Sequence, residues 1–245
     1  MLLSRKKKPS DEPKQEVVGG FPFFLSLAAL IPTGILFFVL ALLQVRHADP
    51  LLAVSFLVAC LAGCLVAQLT IRGHISVLLH EFKHALISNL VGNRNKRMKI
   101  EQNSGHLEYA YTKKTAHYNA FIALAPYIVP VCTFVMVLLS AAIAWDNPLV
   151  AIVFVGFGYG ADLLLNARDI SPVQTDISLI SGGYGVGLVY IAAWNLLTTA
   201  VILAWAFQGV HGIAELFTTV SKAIFAIYFW VSETTPAGVG TEVNL

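Results

Sequence analysis

ISVLLHEFKHALISNLV, residues Ile75–Val91, is an apolar run interrupted by His80, Glu81, Lys83 and His84. It contains neither Pro nor Gly, so it reads as one continuous helix. Imidazoles at positions 80 and 84 lie one above the other on a single helix face, where both can ligate one metal ion. The Glu81 carboxylate beside the first of them can take a proton from a water that such a metal activates. Charged groups are costly at membrane depth, and a cluster of them there marks a functional site rather than packing. The bland alternative is a polar patch that faces water at a helix end. The pattern as a whole favours metal-assisted hydrolysis inside a membrane.

Composition sets the context. The chain has 245 residues, 57% hydrophobic and 12% charged, with a mean hydropathy of +0.72. Soluble domains carry about 25% charged residues, so this is a multi-pass membrane protein. A net charge of +2 gives no nucleic-acid footprint. Cys60, Cys64 and Cys132 all fall in apolar segments, which suits small packing residues and not a disulfide framework.

A bilayer core needs about 20 apolar residues per helix. Candidate spans are Phe21–Leu43, Leu51–Ile71, Ile75–Val91, Tyr118–Ala144, Leu149–Leu165, Val186–Phe207 and Ile213–Val231. Pro32, Pro126 and Pro130 are expected to kink their helices. The basic tail Met1–Gly20, with Arg5-Lys6-Lys7-Lys8, precedes an apolar run too long for a signal-peptide core. That reads as a retained anchor with a cytoplasmic N-terminus. The basic loop Arg94–Lys99 is expected on the same side, which requires an even number of crossings before it. Either Leu51–Val91 is one bent element or part of it only half-spans, so about six transmembrane helices are expected.

Within the polar stretch Gly92–His117, Met98 and Ile100 alternate with polar residues, Asn103-Ser104-Gly105 supplies a turn, and Leu107, Tyr109 and Tyr111 alternate again. This is a β-hairpin pattern, taken over residues 97–112. Its exposed edge suits an extended peptide, and its basic residues suit anionic lipid.

Catalytic zinc takes three protein ligands, so an acidic third is needed. Asp162 closes an apolar helix just after Gly156, Gly158 and Gly160, where a lone carboxylate needs a partner. Asp176 follows Pro172 in the next polar loop and is the alternative. Glu215, four residues after His211, ranks behind both. Asp169, beside Arg168, reads as a solvated pair. His74, His106 and His117 read as interfacial. Asn119 and Asn166 are candidates to hold an oxyanion, and Lys83 is expected to turn away from the metal toward a phosphate or an Asp partner.

These motifs resemble the site-2 protease-type family of intramembrane zinc metalloproteases. In that family an HExxH lies on one transmembrane helix, a second helix follows, and a third carries an aspartate, commonly in an Asn-Pro-containing Asp-Gly motif. The His80–His84 helix, Tyr118–Ala144 and the helix ending at Asp162 keep that order. No Asp-Gly occurs, and Asn166, Pro172 and Asp176 keep the order of Asn, Pro and Asp with different spacing, so the chain resembles a divergent member. The resemblance implies zinc held by His80, His84 and an aspartate, with Glu81 as the catalytic acid–base. It implies a metalloendopeptidase acting on a transmembrane protein or peptide in the bilayer, and a β-structured segment after the HExxH helix.

The full expectation is an all-α polytopic membrane protein with a small β-hairpin insert, placed in the plasma or inner membrane. Residues 1–20 form a basic tail, 21–231 the metalloprotease-like domain with its core at 75–183, and 232–245 a polar tail. The alternatives are an inactive relative that binds membrane partners, a transporter-like bundle, and a membrane-anchored zincin cutting at the surface with Glu215 as ligand.

Overall fold

A computed structural model describes residues 18–101, 104–143 and 147–234. Most of the expected basic tail, the hairpin-turn residue Asn103 and the polar tail from 235 lie outside the described residues.

The architecture is helical with one small sheet. Helices α1 (Phe21–Val45), α2 (Pro50–Thr70) and α3 (His74–Leu90) come first. Strands β1 (Arg94–Ile100) and β2 (Gly105–Ala110) follow. A short 3-10 turn at Ala116–Tyr118 leads into α4 (Asn119–Ile128) and α5 (Val131–Ile143), then α6 (Pro148–Asp169), α7 (Thr175–Ser178) and α8 (Gly183–Thr234). Two starts show why the boundaries fall where they do. Asp49 accepts the Leu51 N–H and Asn147 accepts the Val150 N–H, each followed by Pro at the first helical position. A side-chain acceptor and a preset φ satisfy the first turn together.

Among the described residues, four helices, α1, α2, α6 and α8, are long and apolar enough to cross a membrane, and a fifth crossing arises if α4 and α5 together form one. The two members of that pair are bent by 67°. The bend falls at Pro130, which has no N–H to continue the ladder. Pro32, in contrast, lies inside a continuous α1. The expected count of about six is roughly compatible with these helices, and two places bear on it. Helix α3 has only 17 residues and buries a polar face, so it falls short of a crossing. The two expected C-terminal spans correspond to the two helices of α8 that meet at Gly209, where φ is 61° and the helix is interrupted. Between α2 and α3 the chain turns at Gly73, with φ 54°, so Leu51–Val91 is two helices and not one bent element.

Helix α2 packs on α6 along small residues. A Cβ at Gly160 would lie 1.9 Å from the Cys60 carbonyl oxygen, so only Gly allows this approach. The Cys64 thiol donates to the Gly160 carbonyl at 3.0 Å. The glycine run therefore serves close packing, and α6 passes through it unbroken. One apolar cluster, around Phe37, Ile152, Val155 and Leu216, joins α1, α2, α6 and α8. Another, around Phe23, Leu124, Tyr127, Ile177 and Tyr190, seats α7 against α1, α4 and α8.

The hairpin forms as the alternation predicts, antiparallel, with Met98 opposite Leu107 and Ile100 opposite Gly105. A bulge between Asn95 and Arg97 shifts its register. Both strands pack on α3, and Asn95 donates to the Ala85 carbonyl at 3.1 Å.

Candidate metal centre

Helix α3 turns Glu81, Lys83, His84, Ala85, Ile87 and Ser88 inward. The imidazoles of His80 and His84 stand 5.1 Å apart between ring centres. Both direct Nε2 at the same carboxylate oxygen: Asp176 Oδ2 lies 3.3 Å from His80 Nε2 and 3.4 Å from His84 Nε2. Among the described residues, His80, His84 and Asp176 form a group whose ligand atoms all lie within 4.8 Å of one another.

The loop bearing Asp176 is held from three sides. Ile177 is fully buried beside it. A Cβ at Gly187 of α8 would lie 2.8 Å from the Ile177 side chain, so Gly187 makes room for α7. Val18 bridges Ile180 in a parallel pairing, with Val18 N–H on the Leu179 carbonyl and Ser181 N–H on the Val18 carbonyl, both at 2.9 Å. Burial pulls the Asp176 carboxyl upward, but hydrogen bonds from His80 and His84 outweigh it and hold the group well below the usual carboxylate range.

The second nitrogen of each ring is engaged as well. His84 Nδ1 lies 2.7 Å from the Ile122 carbonyl. A carbonyl only accepts, so Nδ1 carries a proton, and a metal that displaces the Nε2 proton shared with Asp176 finds the Nε2 lone pair. His80 Nδ1 lies 3.1 Å from Asp169 Oδ2. Two imidazole nitrogens and one carboxylate oxygen, aimed at a common point with the outer nitrogens occupied, are the donor set that zinc takes once it displaces the Nε2 protons. The residues present fit the metal.

A cavity of about 740 Å³ opens onto this group and is also lined by Glu81, Gly105, Leu107 and Tyr109. The hairpin rests directly on Glu81: a Cβ at Gly105 would lie 2.5 Å from Glu81 Oε1. Tyr109 reaches Asn119 Oδ1 at 3.5 Å, and burial pushes its phenol up to about 12, so it stays a neutral donor.

Asp162, the first-ranked third ligand, lies elsewhere. Its Oδ2 accepts the Thr133 N–H at 2.7 Å and the Thr133 hydroxyl at 2.9 Å, and its Oδ1 accepts the Cys132 N–H at 3.2 Å. It thus closes the N-terminal turn of α5, just past the Pro130 break, where a negative charge suits the helix dipole. Lys83 Nζ lies 3.8 Å away and donates to the Pro126 carbonyl and to Asn166 Oδ1, both at 3.0 Å. Lys83 therefore does turn from the metal toward an aspartate. Asn166 joins that network through Oδ1 and is not among the residues lining the cavity.

The Arg168–Asp169 pair differs from its reading. Arg168 and Asp169 do not pair with each other. Arg168 donates to the Ile71 carbonyl at 2.8 Å and to Ser76 Oγ at 2.6 Å, while Asp169 meets His80. His106 is exposed yet lines the cavity, and His117 stacks on Tyr118. His211 and Glu215 are exposed on α8 and outside the metal group.

The model of the Peptidase M50B-like family matches residues 53–225, from α2 into the second half of α8. The chain belongs to this family. Comparison with curated proteins and with solved structures gives no match. The matched region spans the HExxH helix, the hairpin, both aspartates and Gly209. Peptidase M50B-like membership agrees with the site-2 protease resemblance carried by His80, Glu81 and His84, and with apolar helices that make the chain an integral membrane protein.

Proposed function

We propose that the chain is a zinc-dependent endopeptidase that cuts a membrane protein within or beside a transmembrane segment. The observation that supports this most is the approach of His80 Nε2 and His84 Nε2 to one Asp176 oxygen in the cavity that also holds Glu81. In this reading His80, His84 and Asp176 hold the metal, and Asp162 does not. Zinc, when bound there, supplies Lewis acidity toward a peptide carbonyl and a water. Glu81 takes the proton of the attacking water and passes it to the leaving amide nitrogen.

A helical substrate hides its carbonyls in its own hydrogen bonds, so it must be extended to be cut. Among the described residues strand β2 is paired along one edge, by β1, and its Gly105, Leu107 and Tyr109 line the cavity. An extended segment added along the other edge brings its carbonyls past Glu81. Basic Arg5–Lys8 and the basic hairpin fit a cytoplasmic side for both, in a plasma or inner membrane. The 1–20, 21–231 and 232–245 division stands as part of this proposal.

Metal removal tests it. Protein purified in detergent and stripped with a chelator is expected to lose cleavage of a transmembrane reporter, and added zinc to restore it. Cleavage that persists in fully stripped protein contradicts the reading.

A further inference from the structure

We propose that Asp169 is a positioning residue of the metal centre: its carboxylate holds the Nδ1–H of His80 and so presents the Nε2 lone pair to the ion. The inference rests on the metal reading above.

A neutral imidazole protonates one nitrogen, and the partner of the outer nitrogen decides which one faces the metal. His84 has its partner in the backbone, the Ile122 carbonyl. For His80 that place is taken by a side chain, Asp169 Oδ2 at 3.1 Å. Asp169 thereby reproduces for His80 what the peptide group does for His84. Without it, the ring is free to flip or to protonate Nε2, and the donor set loses one member.

The surroundings indicate that this contact is built in. Asp169 is the last residue of α6, where the exposed carbonyls make the helix end negative and disfavour a carboxylate. Its neighbour Arg168 points elsewhere, onto the Ile71 carbonyl and Ser76 Oγ. Those two bonds pin the end of α6 to the end of α2 and to the first turn of α3, and Ser76 lies one turn before His80. Arg168 thus sets the spacing of the two helices, and Asp169 uses that spacing to reach His80. The two aspartates that flank His80, residues 169 and 176, then divide the ring between them. Asp176 faces the metal side and Asp169 the outer side.

The test measures zinc affinity of the full chain in detergent, by competition with a chromophoric chelator, in Asp169→Ala, Asp169→Asn and His80→Ala. Removing a partner of the outer nitrogen costs about 10–100-fold in metal affinity, which is the expected loss for Asp169→Ala. The Asn variant retains an oxygen that accepts the Nδ1–H, so it is expected to recover most of that loss. A general loss of fold would not produce that order. Wild-type affinity in Asp169→Ala, alongside a weakened His80→Ala, overturns this inference and leaves the metal centre standing. An Asn variant as weak as the Ala variant overturns it too, because the acceptor oxygen is then not what matters. Unchanged affinity in His80→Ala overturns the metal reading itself and this inference with it.

Discussion

Glu81→Gln is expected to lower cleavage of a transmembrane reporter by about 10²–10⁴-fold, the usual worth of a positioned acid–base group. Zinc content is expected to stay at the wild-type level. The amide keeps the shape and most of the polarity of the carboxylate but cannot take a proton. Glu81 is only 6% exposed and lies beneath Gly105, so an isosteric replacement disturbs the hairpin least. It lies outside the group His80, His84 and Asp176, which is why metal and activity separate in this variant. Undiminished turnover in Glu81→Gln removes the acid–base role.

The second large effect concerns folding. Lys83 and Asp162 are 3% and 2% exposed, and each is partnered across α3, α4, α5 and α6. Asp162→Ala leaves the ammonium without its counter-charge and frees the first N–H groups of α5. Breaking one member of a buried pair costs about 3–5 kcal/mol, so the variant is expected to unfold at markedly lower temperature. Removing both charges together behaves differently. Lys83→Met combined with Asp162→Asn keeps an acceptor for Thr133 and leaves no unpaired ion, so most of the stability returns. A double variant as unstable as Asp162→Ala alone contradicts the assignment of this pair as mutual partners.

These residues also show what was legible in the sequence. The HExxH helix was readable because its information is local: spacing sets the face, and a run without Pro or Gly sets the helix. The hairpin was readable for the same reason, with period-2 alternation around a turn. Asp162 was correctly recognised as a lone charge that needs a partner. Lys83 is expected to reach an Asp, but that partner is not identified as Asp162; two isolated opposite charges at membrane depth are the natural match for one another. Asp169 was paired with Arg168 by adjacency, although neighbours on a helix point about 100° apart and do not face each other. Asp176 was harder to read. Its meeting with His80 spans 96 residues and depends on Ile177 entering the space that Gly187 leaves, a long-range packing event with no local pattern. Composition and geometry part at α3, which is apolar enough to notice yet too short and too polar on one face to cross.

The measurement that bears most directly on the account is zinc stoichiometry, determined by elemental analysis on purified wild-type protein, Asp176→Ala, and the Lys83→Met/Asp162→Asn double variant. The account predicts about one zinc per chain in the wild type and in the double variant, and close to none in Asp176→Ala, since a catalytic site needs its third protein ligand. Zinc retained in Asp176→Ala but lost from the folded double variant contradicts it, and returns the third ligand to Asp162.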